Sequence, residues 1–148
     1  MTEPLVLRYE LACAADHAFD VWTQHLGAWW PKGHSASGDP ATRVVLEPGV
    51  GGRIYERTSD GREIEWGRIT MWDPPRRLHY SWHIASDPSE ATDVELRFVD
   101  LAGGRSRLEI VHTGWDRLGA DGSSRRDANT AGWQALVPAF ASAVAASP

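Results

Sequence analysis

The chain has 148 residues, 42% of them hydrophobic and 24% charged, which suits one domain over residues 1–148 with a core large enough to need no staples. Twenty acidic against fifteen basic residues leave a formal net charge of −5, which argues against nucleic acid as a partner. No apolar stretch approaches the ~20 residues that span a bilayer, no secretory leader opens the chain, and the lone Cys13 can form no internal disulfide, so no membrane insertion and a cytoplasmic location are expected.

Leu5, Leu7, Tyr9 and Leu11 alternate with Val6, Arg8 and Glu10, which predicts a strand over 4–12. Ala15, Phe19 and Trp22 then fall at helical spacing within 14–23, and a second short helix is expected at 24–29, stopped by Pro31. Gly33, Gly38, Pro40 and two serines make 32–42 read as a mobile loop. Six strands follow, near 43–47, 53–58, 62–72, 77–84, 92–100 and 105–113. Their five connections are short, and Asp60-Gly61 carries a strong hairpin signal, so the sheet is antiparallel. Ala131, Trp133, Leu136, Val137, Phe140 and Val144 form a helical stripe that predicts a long helix over 127–146, with Pro138 causing a kink or facing outward.

Eight tryptophans are distributed over strands, loops and the last helix: Trp22, Trp29, Trp30, Trp66, Trp72, Trp82, Trp115 and Trp133. Each must bury a large ring and partner its N–H, so this supply suggests a sheet wrapped around something, with a cavity between. Fourteen of the fifteen basic residues are arginine, which reads as composition bias.

The order of elements, and the residues on them, resemble the START-like helix-grip (SRPBCC) superfamily and within it the heat-shock-protein ATPase activator homologue (AHSA-like) family. The resemblance is carried by Phe19 and Trp22, Trp29-Trp30-Pro31, Pro48-Gly49 leading into Gly51-Gly52-Arg53, and Asp60-Gly61. It continues through Trp66-Gly67, Pro74-Pro75-Arg76-Arg77-Leu78, Trp82, the strand Arg107 to His112, and Gly132-Trp133. It implies an α+β helix-grip fold: a curved antiparallel sheet of six to seven strands around a long C-terminal helix, with two short helices after the first strand. Relatives with this fold bind lipids, sterols, hormones or polyketides, and some are cyclases. The separate chaperone-binding domain of the eukaryotic co-chaperone has no counterpart in this sequence, so activation of a chaperone ATPase is not expected.

Leu108, Ile110 and His112 share one face of their strand, so His112 points where the two leucine-type side chains point, either as a core histidine or as an acid-base group. Leu78, Tyr80 and Trp82 share a face opposite His79, Ser81 and His83; the two histidines lie about 13 Å apart along a strand, too far for one metal. His17, His25 and His34 form no cluster, so no metal and no cofactor are expected. Among Glu47, Glu56, Glu63 and Glu65 one carboxylate can enter the cavity, and Glu47 is the choice because Val45 shares its side. No nucleophile elbow, P-loop or dinucleotide fingerprint is present.

Three functions compete. The first is binding of a small hydrophobic or aromatic molecule in a cavity between sheet and helix, lined by Trp30, Tyr55, Trp66, Tyr80, Trp82, His112 and Trp133. The second is an enzyme of cyclase, dehydratase or hydrolase type using His112 with an acidic partner such as Glu47. The third is a stress-related protein-interaction module that docks a partner through exposed aromatics of 27–31 or Trp115. A homodimer is compatible with all three.

Overall fold

In the computed structural model, which describes residues 2–146, strand β1 (Leu5–Leu11) is followed by helices α1 (Ala15–Gln24) and α2 (Leu26–Trp29). Strands β2 (Arg43–Leu46), β3 (Arg53–Arg57), β4 (Glu63–Asp73), β5 (Arg77–Trp82), β6 (Thr92–Asp100) and β7 (Ser106–Thr113) then precede helix α3 (Gly122–Ala146). The seven strands form one antiparallel sheet in the order β1-β7-β6-β5-β4-β3-β2. The first strand is therefore one edge of the sheet and β2 the other: β2 to β7 form a meander whose last strand returns to pair with β1.

Alternation decides which face is buried. Ser106, Leu108, Ile110 and His112 of β7 are buried, and each intervening residue is half-exposed. The register aligns Leu5, His112, Val94 and Tyr80 across four strands, so the inner face is continuous from edge to centre. Irregular register at Ile54/Tyr55 and at Ile69/Met71 bends β3 and β4, as extra residues in a ladder do. Gly67 sits in this bent region, and a Cβ there would lie 1.8 Å from the Ser81 carbonyl oxygen. Only glycine allows the two backbones to approach that closely.

The helices close the concave face. The first backbone N–H of α1 is accepted by Asp100 Oδ1 at 2.8 Å, so a carboxylate at the end of β6 caps the helix. Phe19 meets Trp72 and Phe98 edge-on at 5.4 and 5.5 Å. Trp22 packs on Trp29 and on Phe140 at 4.9 Å each, joining α1 and α2 to α3. This aromatic stack is the wedge that seats α3 in the sheet.

Helix α3 begins at Gly122, five residues before the predicted start, after a 3-10 segment over Trp115–Asp121. Its first turns are polar and exposed and gave no apolar stripe, yet Arg126 ties them to the carbonyls of Glu3 and Pro4 and Arg125 to Glu90. Pro138 is exposed on the outer side of α3, the outward placement expected for it. The 32–42 loop is held at several points: Trp30 Nε1 donates to the His34 carbonyl, Ser37 N–H to Glu56, and Ser59 to Asp39.

Candidate aromatic cleft

A cleft of about 450 Å³ lies between the β5 end of the sheet and the inner side of α3. Trp30, Tyr80, Trp82 and Trp133 form its aromatic wall, with Ile84, Ala85 and Leu136 adding apolar surface and His34, Arg125 and Asn129 polar rim groups. The α3 contribution is Arg125, Ala128, Asn129, Gly132, Trp133 and Leu136, the i, i+3, i+4 spacing of one helix face, which was the signal available for the residues that sequence reasoning missed. Tyr80 and Trp82 meet edge-on at 5.6 Å, and burial raises the Tyr80 phenol above its ordinary range, so it stays protonated. A larger groove of about 720 Å³ beside the start of α1 is rimmed by Asp73, Arg76, Arg77, Arg97 and Asp100 and lacks such a wall.

Of the seven predicted lining residues, four line this cleft. Trp66 is fully buried behind it, with Trp30 at 5.0 Å and Trp82 at 5.8 Å. His112 lies deeper still, under Trp133. Tyr55 is on the outer face: Arg53 covers its ring at 4.2 Å, and it takes no part in the core cluster. Its prediction as a lining residue is corrected by strand parity, since Ile54 and Glu56 are the inward neighbours.

His112 is wholly buried and both ring nitrogens are engaged. Trp133 Nε1–H can only donate, and it donates to Nδ1 at 3.1 Å, so the ring proton sits on Nε2 and is given to Thr92 Oγ1 at 2.7 Å. Thr92 passes its own hydroxyl proton to the Trp82 carbonyl at 3.3 Å. The chain of bonds runs Trp133, His112, Thr92, Trp82 and clamps α3 to β5, β6 and β7. Burial pushes the His112 imidazole down to about 3, so it is neutral at physiological pH. No carboxylate bonds it, and neither nitrogen is left to move a proton to or from a ligand.

Glu47 is likewise not its partner. It lies on the outer side with Val45, accepting from Arg53 at 3.0 Å, while Arg53 also reaches Glu63 at 3.1 Å. Hydrogen bonds from Arg53 hold the Glu47 carboxyl below its usual range. The inward carboxylate is Glu56, fully buried on β3. The run Val44-Val45-Leu46 is apolar on both sides, so it could not tell inside from outside, and the Ile54-Tyr55-Glu56 run is buried throughout. His83 Nε2 pairs with Glu65 at 3.2 Å, away from the cleft. Among the described residues no three His, Cys, Asp or Glu side chains converge as metal ligands. Trp29 and Trp115 are buried, so the predicted docking aromatics do not form an exposed patch.

A curved sheet gripping a long helix across an aromatic cleft defines a helix-grip protein of the SRPBCC type. The sequence profile for activator of Hsp90 ATPase homolog 1-like proteins matches residues 12–145, and the chain belongs to that family. It is similar to an anthrahydroquino-gamma-pyrone synthase, Txn09, with 35% identity, 85% of each chain covered and a TM-score of 0.61. The self-sacrificing resistance protein CalC from Micromonospora echinospora shares 24% identity over 95% of this chain and 93% of its own, with a TM-score of 0.73. Protein MLL2253 from Mesorhizobium loti shares 16% identity over 99% of both chains with a TM-score of 0.74, a likeness of fold alone. No curated protein sequence matches the chain. No helix among the described residues is long and apolar enough to cross a membrane.

Proposed function

We propose that the protein binds a flat aromatic small molecule, of the polycyclic polyketide type, in the cleft between β5 and α3. The observation that carries this reading is the wall of Trp30, Tyr80, Trp82 and Trp133 around a volume of about 450 Å³, within the range of small-molecule sites. Four rings offer stacking and edge contacts to a planar ligand, and few charged groups face it. Similarity to a synthase that makes an anthrahydroquino-gamma-pyrone supports this ligand class over a fatty acid or a sterol.

The test is native mass spectrometry of the protein mixed with equimolar anthraquinone, palmitate and cholesterol. Retention of anthraquinone in preference to the other two is expected; preference for palmitate or cholesterol, or retention of none, overturns the reading.

The 35% identity to the synthase also favours a second reading, ring closure on the same class of ligand. In that case His112 serves as scaffold, because its nitrogens are committed to Trp133 and Thr92.

A further inference from the structure

Behind the aromatic wall, two buried polar atoms of opposite sense have no hydrogen-bond partner among the described residues: Oε2 of Glu56 and Nε1 of Trp66. Both side chains are fully buried. The register pairs Glu56 with Ile64, two residues before Trp66 on β4, so Glu56 and Trp66 are diagonal neighbours on the same inner face. The other carboxyl oxygen of Glu56 is occupied by the Ser37 N–H at 2.7 Å, which fixes the group under the 32–42 loop. Trp30 and Trp82 line the cleft and both pack on Trp66, so the Trp66 ring stands directly behind the cleft wall, with Glu56 diagonal to it on the neighbouring strand.

Buried polar groups are almost always paired, and one acceptor beside one donor defines what completes them. The group must donate to Glu56 and accept from Trp66. A hydroxyl does both; an ether accepts only, and a hydrocarbon does neither.

We propose that Glu56 and Trp66 form a polar subsite that selects ligands carrying a phenolic hydroxyl, which reaches the pair when the bound ligand displaces the Trp30 ring and breaks its Nε1 bond to the His34 carbonyl. This inference rests on the aromatic-ligand reading and narrows its ligand class. Glu56 and Trp66 determine specificity in it; the four cleft aromatics supply the general affinity.

The test compares 2-hydroxyanthraquinone with 2-methoxyanthraquinone, whose substituent accepts but cannot donate, by isothermal titration of the wild type and of Glu56→Gln. The glutamine is isosteric. Its carbonyl still accepts from Ser37, which leaves an amide N–H facing the ligand in place of an acceptor. The wild type is expected to prefer the hydroxy compound at least tenfold, and the variant to lose that preference or reverse it. Trp66→Phe removes only the donor and is expected to reduce the preference in part, with thermal melts verifying that both variants fold. Equal affinities in the wild type, or a tenfold preference that survives Glu56→Gln, overturn the subsite and leave the cleft reading standing. Failure of both compounds to bind overturns the cleft reading and the subsite together.

Discussion

Acidification tests the structural role of His112 directly. Its imidazole is held down to about 3 in the fold against 6.5 when unperturbed. With the folded value depressed, the unfolded chain takes up the proton first. Stability is therefore complete above about 6.5 and is lost as pH falls through the window from 6.5 toward 3, at up to about 1.4 kcal/mol per pH unit. Between pH 7 and pH 5 the loss from this one group amounts to about 2 kcal/mol. Urea unfolding followed by tryptophan fluorescence at both pH values measures it, with His112→Gln as the reference that cannot titrate. Contributions from the rest of the molecule are common to both proteins and cancel in the difference. The wild type is expected to lose about 2 kcal/mol more than the variant over this interval. Parallel pH dependence in the two proteins would refute the assignment of His112 as a neutral, fully bonded clamp.

Two further substitutions probe the account from other sides. Gly67→Ala forces β4 and β5 apart at the Ser81 carbonyl, and overpacking of this kind costs about 3 kcal/mol, read as a fall in Tm of about 9 °C by calorimetry. Glu47→Gln removes an outward ion pair with Arg53, so ligand affinity by isothermal titration is expected to stay at the wild-type level; a loss of binding would place Glu47 at the site after all.

The fold was legible because its signals were redundant. Period-2 alternation on β1 and β7, short turns between the later strands and the apolar stripe of α3 agree with one another and with the resemblance. The cleft was legible where alternation was clean: Tyr80 and Trp82 on β5, and Trp133 on the helix stripe. It failed on β2 and β3, where apolar residues occur on both faces and a slip of one position exchanges inside for outside. Tyr55 and Glu47 were misplaced for that reason, and Glu56 was passed over. The bonding state of His112 was illegible in principle, since Thr92 and Trp133 lie 20 and 21 residues away and meet it only through sheet pairing and helix docking.

The claim at the centre is that the space between β5 and α3 holds the ligand, and Gly132 offers the most direct test of it. It lines the cleft, and a Cβ built there meets nothing within 4 Å. Gly132→Leu therefore sets its Cβ clear of the protein and directs the rest of its side chain toward ligand space, and replacing a mid-helix glycine contributes up to about 1 kcal/mol of stability. Titration of anthraquinone into wild type and variant, with melting curves on both, is the decisive measurement. The account predicts a variant at least as stable as the wild type that has lost binding by tenfold or more; a stable variant that binds anthraquinone as tightly as the wild type would contradict it.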